Sequence, residues 1–355
     1  MLQWLANPLR DAALVPSDGD EPVRYHRSLP GYEPTPLVDA PALAAEWGVG
    51  RVALKFERER FGLPAFKFLG ASWAARGLLG EPPYGPSLEL VAATDGNHGR
   101  AVARVARMAG VGSTILVPAG TVPARIAAIE SEGARVEVVD GTYDDAVRRS
   151  AELADDRRLL LSDTSWPGYE DVPRRVIEGY ATIFAEVDEQ SGGTPVDLAV
   201  VPIGVGALAA AAARHYAGRA RLAAVEPVDA ACLLASVRAG EIVEVPGPHH
   251  SIMAGLNAGL PSLVAWPLVS GGFDVFCAVD DDVAVAGMRR LAELGLAAGE
   301  VSGGTTGAAG ALLADPGARA ALRARPDSTV LVLLTEGVTD PDGYARLVGG
   351  GGARD

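Results

Sequence analysis

Nine short runs of strand length, most of them apolar almost throughout, punctuate the chain: 51–56 (RVALKF), 88–94 (LELVAAT), 113–118 (STILVP), 135–140 (RVEVVD), 158–163 (RLLLSD), 196–203 (VDLAVVPI), 221–227 (RLAAVEP), 274–279 (DVFCAV) and 328–335 (STVLVLLT). Between most of them lie Ala- and Arg-rich stretches whose apolar residues recur at helical spacing, among them 98–110, 122–133, 142–154 and 283–295. Apolar strands alternating with amphipathic helices predict parallel sheets covered on both faces, an α/β fold. Gly110, Gly133 and Gly295 read as helix C-terminal caps, and Asp95 and Asp144 stand near helix starts. The segment 185–197 (AEVDEQSGGTPVD) has loop composition and suits a crossing between subdomains. Residues 300–313 (EVSGGTTGAAGALL) read as a Gly- and Thr-rich loop that opens a helix, and the Gly-rich tail reads as a frayed end.

Composition narrows the function classes. A chain of 355 residues, 48% hydrophobic, has room for about two domains and a substantial core. Its net charge of −14 argues against nucleic acid or an anionic membrane surface as partner. No apolar run approaches the roughly 18 residues a membrane span needs, and the first residues lack a leader pattern. Two cysteines, Cys232 and Cys277, make no framework, which suits a reducing cytoplasm, and the five histidines carry no metal signature.

The candidate chemistry starts from a lysine. Of 31 basic residues only Lys55 and Lys67 are lysines. Lys can lose its proton when desolvated and act as a nucleophile, whereas Arg stays charged. Lys55 lies in a strand-like run with nothing reactive around it. Lys67, in 62–70 (GLPAFKFLG), opens a helix, where it is either reactive or simply solvated. In 93–110 (ATDGNHGRAVARVARMAG) a strand, a tight turn and a helix put Asp95, Asn97 and His98 outside the carboxyl end of a strand, where open α/β sheets bind ligands. Asp95 is equally an N-cap, and Asn97 equally a turn residue. Residues 202–212 (PIGVGALAAAA) repeat the strand–Gly loop–helix pattern, and such a loop brings backbone N–H groups to an anion. Ala209 stands where G-x-G-x-x-G needs its third glycine, so a phosphorylated ligand smaller than a dinucleotide fits better. Asp163, in 161–173 (LSDTSWPGYEDVP), makes either an Asx turn or a functional carboxylate, and Thr335 and Glu336 end the last strand. A reactive lysine, a phosphate cradle and two carboxylates at strand ends are together the parts of a pyridoxal-phosphate enzyme.

With 25–37 (YHRSLPGYEPTPL), 60–74 (RFGLPAFKFLGASWA), 141–147 (GTYDDAV), 251–262 (SIMAGLNAGLPS) and 335–344 (TEGVTDPDGY), these stretches resemble, in order and over nearly the whole chain, the fold-type II pyridoxal-phosphate enzymes. That is the tryptophan synthase β and threonine dehydratase class, and within it the chain is most similar to the diaminopropionate ammonia-lyase family. Asp95 stands where related serine and threonine dehydratases usually carry Ser, and 163–169 (DTSWPGY) is a second specific match.

The resemblance implies two three-layer α/β/α domains with mainly parallel sheets and pyridoxal 5'-phosphate in the cleft between them. The smaller domain, 81–181, is inserted into a larger one made of 1–80 and 182–355, and the protein is a homodimer. By the same resemblance Lys67 carries the cofactor on its amine and can later move a proton, Asn97 meets the ring hydroxyl, and the amides of Gly204, Val205 and Gly206 hold the phosphate. Thr335 faces the pyridine nitrogen, a neutral partner that suits β-elimination better than transamination. The implied reaction releases ammonia from 2,3-diaminopropionate to give aminoacrylate, which decays to pyruvate and a second ammonia. Asp95 and Asp163 are then bases on opposite faces of Cα, serving the D and L isomers.

Four positions depart from the family pattern: Phe56 and Arg58 replace Asp and Ser, Leu260 replaces Glu, and Thr305 falls about where the family shows Glu. The two lost carboxylates leave open a related enzyme that eliminates or replaces the β-group of serine, threonine or another β-substituted amino acid. A non-catalytic pyridoxal-phosphate carrier is the alternative of another class, and Lys67, Asp95 and Asp163 argue against it.

Overall fold

The computed structural model describes residues 2–17, 19–85, 87–94 and 96–349. The apolar runs become strands, and two short strands join them. In chain order the strands are β1 (Leu2–Ala6), β2 (Leu37–Asp39), β3 (Arg51–Phe56), β4 (Glu89–Ala93), β5 (Gly112–Pro118), β6 (Arg135–Val139), β7 (Arg158–Leu160), β8 (Leu198–Pro202), β9 (Arg221–Pro227), β10 (Val275–Val279) and β11 (Thr329–Leu334). They form a seven-stranded sheet in the order β1-β10-β9-β8-β11-β3-β2 and a four-stranded sheet in the order β6-β5-β4-β7. Every pairing is parallel except at the two edges of the larger sheet, where β1 runs against β10 and β2 against β3. The central strands β8, β10 and β11 are buried along their whole length, as a sheet covered by helices on both faces requires. The expected α/β class with mainly parallel sheets is the observed one.

Two local expectations change. The segment 185–197 is helical in its first half, because the helix Ala181–Gln190 runs through it and only the residues after it turn. Residues 300–313 are no loop but the body of the helix Glu300–Ala314. Its glycines serve contact: a Cβ on Gly287, in the helix Asp281–Glu293, would stand 1.9 Å from the carbonyl oxygen of Gly303. The two helices therefore touch backbone to backbone, which a larger residue at either position would prevent.

Lys55 has a structural task. Fully buried, its Nζ lies 2.6 Å from Glu186 Oε2 and donates to the Thr35 carbonyl at 2.8 Å and Gln190 Oε1 at 3.0 Å. Arg60, also fully buried, bridges Glu186 and Glu57 at 2.6 and 2.7 Å. A buried charge is tolerable when its hydrogen-bonding capacity is met this completely. Among the described residues no helix is long and apolar enough to cross a membrane.

Candidate active site

The lysine loop is fastened to the end of β11. Gly337 N donates to the Pro64 carbonyl at 2.8 Å and Phe66 N to the Thr335 carbonyl at 3.4 Å, so Lys67 emerges beside Thr335 and Glu336. The helix Phe68–Leu79 follows directly. Lys67, Asn97, Asp163, the Gly204–Gly206 loop and Thr335 all line one cavity with about 870 Å³ of empty space, open solvent at its mouth included. Lys55 is not among its lining residues. Asp95 lies outside the described residues.

Asp163 follows β7 on a loop held by Tyr169, whose hydroxyl accepts from Ser162 N at 3.0 Å and donates to the Leu160 carbonyl at 2.8 Å. Trp166 stacks on Tyr169, with ring centroids 4.6 Å apart, and Ser165 Oγ accepts from Val264 N at 2.9 Å. These contacts account for the Ser, Trp and Tyr of DTSWPGY as the frame that aims the carboxylate. Lys67 Nζ lies 2.6 Å from Asp163 Oδ2, and the Tyr143 hydroxyl lies 3.3 Å from Oδ1.

His98 Nε2 is 2.9 Å from the Leu161 carbonyl, which can only accept, so Nε2 carries the proton and Nδ1 is a bare lone pair. Burial pushes the imidazole below its usual range, with the Asp163 carboxylate opposing. Burial alone would push the Asp163 carboxyl up, but neighbouring cations and hydrogen bonds outweigh it and hold the group below its usual range. His98 and Lys67 lead that stabilisation, and hydrogen bonds from Lys67 and Tyr143 add to it.

The loop expected to cradle a phosphate runs between β8 and the helix Ala207–Tyr216. Gly206 has φ +106°, a conformation side chains disfavour, and a Cβ there would stand 3.0 Å from Ala265 Cβ. A Cβ on Gly204 would stand 3.2 Å from the Gly255 carbonyl oxygen. Bare backbone amides at a helix N-terminus, a lysine amine and a neutral Thr335 hydroxyl in one cavity fit pyridoxal phosphate: the first set for the phosphate, the amine for the aldehyde, the hydroxyl for the ring nitrogen. Among the described residues no group of three or more His, Cys, Asp or Glu side chains could hold a metal ion.

Thr335 and Glu336 are buried in the cavity wall. Glu336 accepts from Asn97 Nδ2 and, at 3.3 Å, from Val301 N. Arg125 and Tyr143, which the sequence reading did not single out, also line the cavity. Both follow carboxyl ends of strands, β5 and β6, and that position was the available signal. The four departures from the family pattern stand elsewhere: Phe56 is core, Arg58 lies 5.4 Å over its ring, Leu260 is exposed, and Thr305 donates to Val301 within its own helix. None of the four lines the cavity.

A family model described as pyridoxal-phosphate dependent enzyme matches residues 29–336. The diaminopropionate ammonia-lyase of Escherichia coli K12 is 33% identical over 92% of this chain and 89% of its own. The crystal structure of the E. coli enzyme with an aminoacrylate-PLP azomethine reaction intermediate superposes with a TM-score of 0.92 at 31% identity, covering 99% of this chain and 98% of that one. The complex of the E. coli enzyme with D-serine superposes with a TM-score of 0.91 at 30% identity, covering the same shares. A fold, a cavity and a sequence that agree over this length place the chain among the fold-type II pyridoxal-phosphate-dependent enzymes, and it belongs to their diaminopropionate ammonia-lyase family.

Proposed function

We propose that this enzyme eliminates ammonia from 2,3-diaminopropionate, as the D isomer, the L isomer or both, giving aminoacrylate that decays to pyruvate and a second ammonia. The observation that carries the reading is the contact of Lys67 with Asp163 inside the cavity that also holds the glycine cradle. The relatives' activity and the intermediate held by the E. coli enzyme support it.

Pyridoxal phosphate, when bound, supplies the electron sink that makes the Cα proton of an attached amino acid acidic. Lys67 holds it, the amides of Gly204, Val205 and Gly206 take its phosphate, Asn97 meets its ring hydroxyl and Thr335 its nitrogen. Asp163 is the base on one face of Cα and Asp95 on the other. Lys67 and the Tyr143 hydroxyl hold the Asp163 carboxylate ionised, which keeps it ready to accept the proton at Cα.

The same reading divides the chain into a domain of 1–80 with 182–355 and an inserted domain of 81–181; the smaller sheet lying entirely between Glu89 and Leu160 supports it. It also takes the enzyme to be a cytoplasmic homodimer, with free buried cysteines in keeping with a reducing compartment. The test is release of pyruvate and ammonia from D- and L-2,3-diaminopropionate, with D- and L-serine and L-threonine in parallel. Preferential turnover of diaminopropionate is the expected result. Turnover of serine or threonine alone would overturn the substrate assignment.

A further inference from the structure

Glu300 opens the helix Glu300–Ala314 and is nearly buried, 5% exposed. Among the described residues its Oε2 accepts no hydrogen bond; the nearest cation is Arg125 Nη2 at 3.7 Å, beyond hydrogen-bonding reach. Arg125, Glu336 and Val301, the residue after Glu300, line the cavity; Glu300 is not itself a lining residue and reaches the wall through Arg125. Glu336 has its oxygens engaged by Asn97 and Val301 N, so it cannot satisfy Glu300 and instead adds a second negative charge beside it. Burial and Glu336 push the Glu300 carboxyl up to about 7, with Asp340 adding to the rise and Arg125 opposing it. Glu300 therefore feels two further carboxylates and only one arginine at this edge of the cavity. A buried carboxylate oxygen without a donor is costly, and a ligand bearing a positive donor relieves that cost.

We propose that Glu336 in the cavity wall, backed by the unsatisfied Glu300, is the specificity site for the second ammonium group of the substrate. This rests on the proposed function. Of the two free groups of an amino acid held through its α-amine, the α-carboxylate is repelled by the carboxylates here, which leaves the β-group to meet this wall. A β-ammonium supplies the donor and charge that this carboxylate pair lacks, whereas a β-hydroxyl supplies no charge. The pairing also serves the departure of the group. Held as an ammonium, the β-nitrogen leaves with the Cβ–N electron pair as neutral ammonia, with no further proton needed.

The test compares Glu300→Gln with the unaltered holoenzyme on 2,3-diaminopropionate and on serine of the same configuration. The variant is expected to lose about tenfold to a hundredfold in kcat/KM for diaminopropionate, mainly through KM, and to keep its serine elimination and cofactor spectrum. Glu300→Asp, which keeps the charge on a shorter arm, is expected to fall between the two; it also serves if the Gln variant folds poorly. If both variants lose both substrates equally, or neither changes the preference, the inference is overturned alone. If the unaltered enzyme releases no ammonia from diaminopropionate, the functional reading falls and this inference with it.

Discussion

The Nζ of Lys67 and the Oδ2 of Asp163 stand 2.6 Å apart, with side chains only 19% and 5% exposed. They form an ion pair, so removing either changes two properties at once. The two roles of Lys67, cation and nucleophile, can be separated. Lys67→Ala is expected to abolish both the yellow chromophore and turnover. Lys67→Arg keeps a cation beside Asp163 but cannot form a covalent bond to an aldehyde, so it should keep the fold and still lose turnover. Visible absorbance with a pyruvate assay reads both, and full turnover by either variant would sink the assignment.

Asp163→Asn should lose mainly one enantiomer of diaminopropionate, by about a hundredfold to ten-thousandfold as for removal of a general base. Asp95→Asn should lose mainly the other. Initial rates on the separated isomers decide this. Equal losses on both isomers in both variants would dismiss the two-base scheme.

Gly206→Ala should weaken cofactor binding more than it weakens the fold. Its φ of +106° strains an alanine, and the added methyl meets Ala265 at 3.0 Å, so relief comes by displacing the amides that face the phosphate. Titration of the stripped variant with pyridoxal phosphate should show a raised Kd. An unchanged Kd would place the phosphate elsewhere.

The sequence made the fold class and most of the site legible because both reside in local patterns. Apolar runs identified nine of the strands, and strand–loop–helix junctions placed Asn97, Asp163 and the 204–206 loop in what is one cavity. What stayed hidden depends on distant contacts. β1 and β2 are short edge strands, partly exposed; β1 has its partner β10 far along the chain, and β2 is three residues long, too short to show a pattern. The glycines of 303–307 look like a loop until Gly287 is seen against them. Lys55 and Lys67 are alike as letters; only Glu186, 131 positions away, tells the buried ion pair from the cavity amine.

That contrast makes a stability prediction. Lys55→Met should cost about 3 kcal/mol, because the Thr35 carbonyl and Gln190 amide oxygen lose a buried donor and Glu186 keeps only Arg60 as cation. Urea unfolding of the holoenzyme measures the loss. The cofactor spectrum should be unchanged, since Lys55 does not line the cavity. A bleached spectrum in a folded Lys55 variant would contradict the division of labour between the two lysines.

Glu226 gives stability a pH dependence. It ends β9 fully buried, its two oxygens accepting from Leu233 N and Leu234 N at 2.8 Å each. Burial pushes its carboxyl up to about 8, against an ordinary value of 4.5. Between those two values the folded chain holds a proton that the unfolded chain has released, so folding takes up a proton. The contribution of Glu226 is therefore fully present below about 4.5 and is lost as pH rises to about 8, by about 1.4 kcal/mol per pH unit at most. Glu226→Gln is neutral at every pH and lacks that slope. The stability difference between wild type and variant should shift toward the variant from pH 5 to pH 8 and level off above. Glu300, raised in the same direction, is present in both proteins and cancels from the difference. Parallel stability curves would mean that Glu226 is ionised in the folded protein, with Leu233 N and Leu234 N sufficient to hold its charge.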